Sequence, residues 1–305
     1  MTDAVMHSAQ PGTLMRRAAW AAVAVAGFLI LLKAVAYVIT DSIAMMASLA
    51  DSGLDLIGST INLLAIGHAL TPADREHRFG HGKAEPLAGL AQGAFIAGSA
   101  TFLVIESVSR LISPHPIAHS GIGLGVMAIS IAAVISLLIV QRIAVARTGS
   151  IAIGADSVHY AGDLLTNLGV VVGIVLSAEF GILIADPIVG IVVAAILSYS
   201  AIHVFRQSYD QLMDRELPEN DRTRIKNIVM GHDDVLNLHD LRTRAAGIST
   251  FIQLHIELDP ACSLTRAHEV SDAVEADILA AYPNAEIIIH QDPAGLERPE
   301  PLAQS

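Results

Sequence analysis

Residues 43–69 read IAMMASLADSGLDLIGSTINLLAIGHA, an apolar run that is long enough to cross a bilayer but carries two acids, Asp51 and Asp55. A second such run, AIGADSVHYAGDLLTNLGVVVGIVLSA at 152–178, carries His159 and Asp163. In each run the two groups are spaced i, i+4, so they share one helix face. Ionisable groups at bilayer depth are costly and indicate a functional site. Three carboxylates and one imidazole predict a site for a divalent metal.

The composition is that of a polytopic membrane protein with a soluble extension. Of the 305 residues, 53% are hydrophobic and 16% are charged, and the mean hydropathy is +0.55. The single cysteine, Cys262, excludes an intramolecular disulfide and a thiolate-rich metal site. From Asp210 onward, 18 acidic residues outnumber 8 basic ones, a net charge of −10. This imbalance argues against nucleic acid as a partner and is compatible with cation capture.

Six apolar segments are predicted to span the membrane as helices, at 15–39, 43–69, 86–111, 121–146, 152–178 and 186–208. If the N-terminus is inside, the arginine-rich ends are inner ends, and the outer loops carry only Arg110. This asymmetry predicts that both termini are cytoplasmic. The predicted domains are a cytoplasmic N-terminal segment (1–14), a transmembrane domain (15–208), a cytoplasmic domain (209–293) and a flexible tail (294–305).

The periodicity changes after Arg206. We predict a helix over 219–231, strands over 235–243 and 251–258, a helix from an N-cap at Ser263 to about Tyr282, and a strand over 285–290. His255 and Glu257 lie on the polar face of the second strand. The predicted fold class is therefore an α-helical membrane protein with six transmembrane helices and a C-terminal α+β domain of order αββαβ, with its helices on one sheet face.

Helix geometry places the two ionisable pairs at one depth. At ~1.5 Å per residue, Asp51 and Asp55 lie roughly 12 and 18 Å below the outer end of the second span. His159 and Asp163 lie roughly 10 and 16 Å from the inner end of the fifth span, which runs in the opposite direction. In a core that is ~30 Å thick, Asp51 therefore faces Asp163 and Asp55 faces His159.

Buried polar packing is the alternative interpretation of these groups. Asn62 and Asn167 nearby are typical of side chains that hydrogen-bond between packed helices, but four ionisable groups at one depth are too costly for packing alone. Asp156 shares a face with His159 but lies nearer the inner end, which favours a vestibule or capping group over a ligand. The predicted metal site therefore consists of the two i, i+4 pairs.

The chain resembles the cation diffusion facilitator family. The resemblance rests on the two spaced pairs and on ADREHRFGHGKA at 73–84, LMDRELP at 212–218, HDLRTR at 239–244 and IHQDP at 289–293. These motifs extend over nearly the whole chain, and they are most similar to the bacterial zinc and iron efflux type. The resemblance implies a homodimeric metal/proton antiporter in the bilayer of the bacterial inner membrane, with a metallochaperone-like cytoplasmic domain.

The resemblance also implies two accessory metal sites and an ion pair. Lys83 and Asp214 would form a charge interlock between the membrane part and the cytoplasmic domain near the dimer axis; otherwise they are an ordinary inner-face lysine and a solvated aspartate. The residues implied for a loop site are Asp74, His77 and His81, unless these are incidental members of a hydrophilic loop. The residues implied for a paired-metal site, in which Asp292 bridges two ions, are His239, His255, His268, His290 and Asp292.

The remaining histidines receive minor roles or none. His232 and Asp233 are candidates for an outer contribution to the paired-metal site. Five further histidines match no motif, and we interpret them as structural or incidental. They are His7, His68, His115, His119 and His203.

The predicted activity is export of a divalent cation in exchange for protons by alternating access. Three ionised carboxylates and a neutral imidazole carry a charge of −3, so a metal ion and protons relieve the same penalty and compete. His159 is the predicted proton shuttle because an imidazole titrates at about pH 6.5. Zn²⁺ is the predicted substrate and the predicted structural or regulatory ion of the cytoplasmic domain. Fe²⁺, Cd²⁺ and Mn²⁺ are competitors for transport, since most of the ligands are oxygens.

Two other function classes also need buried metal ligands. An intramembrane metallohydrolase would need a dedicated general base and a nucleophile motif, which the sequence lacks beside these ligands. A membrane-anchored metal sensor would use the spans only as an anchor, and an anchor needs no carboxylates at matched depth. We therefore expect a transporter and not an enzyme, and metal flux in vesicles separates the three classes.

Overall fold

The computed structural model describes residues 11–40, 43–112, 121–180 and 184–295. Most of the predicted N-terminal segment and of the predicted flexible tail, together with His7, His115 and His119, lie outside these ranges. The helices of the membrane part are α1 (Pro11–Thr40), α2 (Ile43–Ala69), α3 (Ala84–Ile112), α4 (Gly121–Thr148), α5 (Ile151–Phe180) and α6 (Ala185–Leu212). Each coincides with a predicted span to within a few residues, so the six-helix prediction is confirmed.

Within the described residues, five of these helices are long and apolar enough to cross a membrane. The other one is α5, whose first half carries Asp156, His159 and Asp163. These include the ionisable groups that the sequence analysis assigned to a functional site at bilayer depth. The second half of α5 is apolar, reading LGVVVGIVLSA at 168–178, so over its full 30 residues α5 is also long and apolar enough to cross a bilayer. The chain is a multi-pass membrane protein.

Small side chains let the membrane helices approach one another closely. Ala18, Ala22 and Ala26 repeat at i, i+4 along α1 and are buried. α1 packs against α2 and α4, and α5 packs against α3 and α4. A buried hydroxyl pair joins α2 to α5, with Ser59 Oγ and Tyr160 Oη 2.8 Å apart. Because Ser59 is one turn from Asp55 and Tyr160 adjoins His159, this pair fixes the two site-bearing helices against each other.

We expect Gly89→Val to destabilise the membrane domain. A Cβ at Gly89 would overlap Ser208 Oγ and would lie 2.9 Å from Ile151 Cγ2. Overpacking of this kind costs about 1–3 kcal/mol, so the variant should lose its monodisperse form in detergent at a lower temperature. Gly98→Val is the matched control on the same helix, because nothing lies within 4 Å of a Cβ there. Equal thermal stability of the two variants would contradict close packing at Gly89.

The C-terminal part, here called the tail domain (residues 210–295), is a separate compact unit. Its strands form one sheet in the order β1-β2-β3, with β1 and β2 antiparallel and β2 and β3 parallel. Ser263 Oγ accepts a hydrogen bond from the Arg266 N–H at 3.2 Å, which confirms the predicted N-cap. The elements, in the predicted αββαβ order, are α7 (Glu219–Val229), β1 (Asn237–Ala246), β2 (Ser249–Leu258), α8 (Leu264–Ala281) and β3 (Ala285–Pro293).

The tail domain has its own hydrophobic core on one face of the sheet. Alternate residues of β2, Ile252, Leu254 and Ile256, are fully or almost fully buried there. They pack in one cluster with residues of α7 and α8, among them Ile225 and Ile278. The helices therefore cover one sheet face, as predicted. The period of two in β2 turns His255 away from this core, toward the opposite face.

Candidate functional site

Three of the four predicted intramembrane ligands converge where α2 and α5 pack together. His159 Nε2 lies 3.1 Å from Asp55 Oδ1 and 3.8 Å from Asp163 Oδ2. One ligand atom from each of the three side chains lies within 4.8 Å of those from the other two. We call Asp55, His159 and Asp163 the central cluster. The contact between Asp55 and His159 joins the two residues that helix geometry placed at one level.

The central cluster has the chemistry of an incomplete tetrahedral metal site. The side chains of Asp55 and His159 are 8% and 12% exposed, and that of Asp163 is 27% exposed. Two carboxylates and an imidazole supply three ligands, and zinc and similar ions take a fourth from a further side chain or from water. The site is thus largely buried within the membrane part, and Asp163 is its most exposed member.

Asp51 is not drawn into the central cluster. Its residue is exposed, and its carboxylate is not among the three mutually close ligands. It lies one turn from Asp55 on α2, toward the N-terminal end of that helix. Asp55, not Asp51, is the carboxylate of α2 that meets α5. The predicted pairing of Asp51 with Asp163 therefore stays a prediction, and Asp51 is the candidate for the fourth ligand.

Asp156 has a different role from the vestibule or capping role that the sequence suggested. It is 1% exposed, and its two carboxylate oxygens accept hydrogen bonds from Gln92 Nε2 at 2.6 Å and from Gln141 Nε2 at 2.7 Å. The three side chains belong to α5, α3 and α4. Asp156 is therefore a buried polar connection between three helices, one turn from His159, and the capping interpretation is wrong.

The structure also places a cation beside the site, and the sequence analysis gave that cation no role. Lys33 of α1 donates to Ser52 Oγ at 2.6 Å and to Ser48 O at 3.2 Å. Both serines flank Asp51 on α2. The signal was present in the sequence, because Lys33 is the one charged residue between Arg17 and Asp41 in the first span.

The three predicted loop ligands come together between α2 and α3. His77 Nδ1 and His81 Nε2 lie 3.7 and 3.5 Å from oxygens of Asp74, and all three side chains offer ligand atoms within 4.8 Å. The backbone N–H groups of His77 and Glu76 donate to Asp74 Oδ1 at 2.6 and 2.8 Å. These hydrogen bonds, that of His77 foremost, lower the pKa of Asp74 and keep the carboxylate ionised and able to bind a cation.

A third imidazole adjoins this loop cluster, which consists of Asp74, His77 and His81. The ring of His68, in the last turn of α2, lies edge-to-face against that of His81 with 4.5 Å between centroids. His81 itself is only 8% exposed, and its Nδ1 lies 3.3 Å from Thr71 O. The interpretation of His68 as incidental missed this contact. The segment between His68 and His81 crosses the end of a helix, so no periodicity rule could have indicated the contact.

The tail domain aligns three predicted histidines in one row across the sheet. His239 of β1 is in register with His255 of β2, which is in register with His290 of β3. Asp292 Oδ2 lies 2.9 Å from His255 Nδ1 and 3.3 Å from His239 Nε2, while its Oδ1 lies 3.3 Å from His290 Nε2. One carboxylate thus faces imidazoles with both of its oxygens. This geometry suits a carboxylate that bridges two metal ions.

His268, the fifth residue implied for this site, stands apart from the row. It lies on α8, its side chain is 72% exposed, and its nearest acidic partner is Asp272 at 3.6 Å. Within the described part of one chain it therefore does not join the other four residues. The sequence analysis missed two acids that do lie beside the row. Glu257 lies 3.6 Å from His239 Nδ1, and Asp240 lies 3.8 Å from His255 Nε2.

His232 and Asp214 each have an ionisable partner within the tail domain. His232 Nε2 lies 3.1 Å from Asp277 Oδ2, which gives it a partner on α8. Asp214 has a positive φ of 54° and accepts a hydrogen bond from Arg244 Nη1 at 3.1 Å. Lys83 immediately precedes α3, in the other compact unit. The pairing of Lys83 with Asp214 stays a prediction.

Comparison with known proteins covers both parts of the chain. The family profile described as the cation efflux transmembrane domain matches residues 19–213, and that of the cation efflux protein cytoplasmic domain matches residues 217–294. The chain is 44% identical to the cation-efflux pump FieF of Shewanella oneidensis over 283 residues, which is 93% of this chain and 95% of that protein. It is 42% identical to FieF of Salmonella paratyphi A over 285 residues, with the same coverage of both chains.

Two solved structures of the protein CzrB match a shorter stretch of the chain. They are 30% and 29% identical to it, cover 26% and 28% of it, and account for 99% and 98% of their own chains. Both have a TM-score of 0.25, which is too low to support a conclusion about the fold.

Proposed function

We propose that this chain, which belongs to the cation efflux family and is a divalent metal cation efflux transporter, exchanges its metal for protons at the central cluster. The observation that carries the proposal is the contact of His159 with Asp55 and with Asp163 inside the membrane part. A divalent metal and protons bind to the same oxygens and ring nitrogen. Their competition is the physical basis of exchange.

The transport cycle that we propose follows from the charges of the site. Metal that arrives from the cytoplasm displaces protons from the cluster, because the site cannot hold both without electrostatic cost. Once the helices move and the site opens outward, protons displace the metal. His159 faces Asp55 of α2 and Asp163 of its own helix. Protonation of the His159 ring therefore places a positive charge beside both carboxylates. The inward proton gradient then drives export.

We propose Zn²⁺ as the main substrate. Two carboxylates and one imidazole, with Asp51 available as a further oxygen ligand, suit zinc, and the same set admits Fe²⁺, Cd²⁺ and Mn²⁺. Oxygen-rich sites discriminate weakly among these ions. Selectivity should therefore follow the size of the site and the way its helices close.

We further propose a homodimer in a bacterial inner membrane with both termini in the cytoplasm. The excess of arginine at the predicted inner ends supports this orientation. The matched relatives are bacterial pumps, and the tail domain matches the family's cytoplasmic domain. In this arrangement the tail cluster, which consists of the histidine row (His239, His255 and His290) and Asp292, binds regulatory or structural zinc. The net charge of −10 from Asp210 onward would repel between two subunits, and bound divalent ions would offset that repulsion.

The two other function classes are less well supported. A metallohydrolase would need a nucleophile and a general base beside the metal, and Asp55, His159 and Asp163 are themselves the ligands. A membrane-anchored sensor would not need ionisable groups that meet between α2 and α5. Flux assays separate these classes, because a sensor or a hydrolase would not move metal.

Metal uptake into proteoliposomes tests the proposed function. We expect Zn²⁺ uptake when the lumen is more acidic than the bath, since protons leave as metal enters. An ionophore that collapses the proton gradient should abolish the driven component. Addition of Fe²⁺, Cd²⁺ or Mn²⁺ in competition then ranks the substrates. Uptake that is indifferent to the proton gradient would contradict exchange.

His159→Asp should weaken the coupling to protons more than it weakens metal binding. The variant keeps an anionic ligand but loses the imidazole, the group whose unperturbed pKa of about 6.5 lies nearest to working pH. We expect the dependence of flux on pH between about 5.5 and 7.5 to flatten, and the relative flux of harder cations to rise. His203→Asp, an exposed position on α6, is the matched control. An unchanged pH profile in His159→Asp would exclude His159 as the shuttle.

A further inference from the structure

Lys33 is a cation in a membrane helix beside a site for cations, which requires an explanation. Its Nζ donates to Ser52 Oγ at 2.6 Å and to the carbonyl oxygen of Ser48 at 3.2 Å. Both partners are neutral, and Ser52 is fully buried. An ammonium group in such surroundings is costly unless negative charge lies nearby. The nearest negative charges of α2 belong to Asp51, which adjoins Ser52, and to Asp55 one turn further on.

The lysine side chain points toward the site and not toward the outer membrane surface. Lys33 is seven residues before the end of α1 at Thr40, so its Cα lies ~10 Å from that end of the helix hairpin. Ser52 is nine residues after the start of α2 at Ile43, so it lies ~14 Å from the same end. A lysine that reaches for the headgroups would bond only to groups nearer that end than its own Cα. One partner of Lys33, Ser48, lies ~8 Å from that end, but the other, Ser52, lies deeper than Lys33, so the ammonium group stays at about the depth of Asp51.

The ammonium group of Lys33 lies near the proposed metal ligands and leaves their oxygen atoms available. Its bonds to Ser48 and Ser52 hold it against the α2 face that carries Asp51, within electrostatic range of Asp51 and Asp163. Among the described residues, no carboxylate oxygen forms an ion pair with it at 4 Å or less. Asp51 therefore keeps its oxygens for a metal while it feels the positive charge of Lys33.

The charges then balance when a divalent ion is bound. The proposed site contains three negative charges, those of Asp51, Asp55 and Asp163, and Lys33 adds one positive charge. A divalent ion supplies the remaining two, so the loaded site is neutral. Without Lys33 the loaded site would keep a net negative charge inside the membrane and would hold its metal more tightly.

We propose that Lys33 is the fixed counter-charge of the transport site, which lowers its affinity for divalent metal enough to allow release. The inference deepens the proposed function and rests on it. Lys33 touches no reacting atom, so it is a positioning residue for charge and not a ligand. Ser52 and Ser48 hold it at the distance at which it acts on the carboxylates without displacing the metal.

Three variants test this role in proteoliposomes with Zn²⁺ as the probe. Lys33→Met removes the charge and keeps the length of the side chain, whereas Lys33→Arg keeps the charge. Lys226→Met, on α7 of the tail domain, is the matched control. We expect Lys33→Met to lower the KM for zinc about tenfold and to lower kcat in a similar proportion, because tighter binding slows release. Lys33→Arg, which keeps the positive charge, should have a KM and a kcat within about twofold of those of the wild type.

The split between KM and kcat distinguishes this role from a structural one. A lysine that only packs α1 against α2 would lower kcat and leave KM unchanged or raised on substitution, and either result in Lys33→Met would overturn the proposal. Failure of Lys33→Arg to rescue would overturn it as well, since charge would not be the property that matters. If Lys33→Met does not fold, Lys33→Gln keeps the hydrogen bond to Ser52 and carries the same expectations.

Zinc binding to the purified protein keeps this inference separate from the transport proposal. If the wild type shows no flux, the proposed function fails, and Lys33 is then judged by binding alone. Zinc affinity is compared in wild type and Lys33→Met, each with and without Asp163→Asn, so that binding at the loop and tail clusters is subtracted. Tighter zinc binding in Lys33→Met that depends on Asp163 supports the counter-charge, and unchanged binding overturns it.

Discussion

Asp163→Asn is expected to reduce zinc flux in proteoliposomes to the background of empty vesicles. The substitution keeps the volume of the side chain but removes a charged ligand of the central cluster, whose oxygen lies 3.8 Å from His159 Nε2. Loss of one charged partner from a buried charge pair costs about 3 kcal/mol, which is about a hundredfold in affinity. Asp51→Ala is expected to have the same direction of effect if Asp51 supplies the fourth ligand.

A second acid of the membrane part provides the control. Glu106 lies on α3, and its carboxylate accepts a hydrogen bond from Arg110 Nε at 2.8 Å, one turn along the same helix. Glu106→Gln should keep most of the zinc flux, because it changes an acid outside the central cluster. Thermal stability in detergent should be measured for both variants. Wild-type flux in Asp163→Asn would refute the assignment of the transport site.

The other large effect is expected in the tail domain. A fragment that starts at Asp210 carries its own hydrophobic core, so it should fold alone. Zinc at one hundred times its Kd should stabilise this fragment by about 2.7 kcal/mol, which raises Tm by about 10 °C or more in a domain of this size. His290→Ala combined with Asp292→Ala should abolish the shift, because Asp292 faces all three histidines of the row.

His268→Ala is the matched variant for this experiment. His268 lies outside the row in a single chain, so its loss should leave most of the zinc effect at concentrations where the fragment is monomeric. In the full-length protein the double variant should reduce zinc flux without abolishing it, since Asp55, His159 and Asp163 remain. If the double variant still gains stability from zinc, the ligand set is wrong. If its flux falls to zero, the tail domain does more than stabilise a dimer.

Much of the fold and part of the site could be predicted, because the regular geometry of helices and strands determines the depth of a residue in a span and the face on which its side chain lies. The rise of ~1.5 Å per residue placed Asp55 and His159 at one level, and the structure brings their atoms to 3.1 Å. In β2, the period of two separated the buried side, which carries Leu254, from the polar side, which carries His255. The αββαβ order followed from the same rules.

The rest depends on the rotation of helices about their axes and on contacts between distant segments. Spacing cannot tell which of two acids on one helix face meets a neighbouring helix, and here Asp55 does so while Asp51 does not. Nor can it show that Lys33 bonds to a deeper serine, or that Asp156 receives two glutamine amides from other helices. The contact of His68 with His81 arises at a helix end, where no period applies.

The most direct test of the central claim records metal and proton movement together in one vesicle preparation. Vesicles with wild-type protein, a pH dye in the lumen and no imposed pH gradient receive Zn²⁺ in the bath. If metal is exchanged for protons at the central cluster, zinc should enter, the lumen should become more alkaline in proportion, and both signals should vanish in Asp163→Asn. Zinc entry without a change of luminal pH, or equal signals in wild type and Asp163→Asn, would contradict the claim.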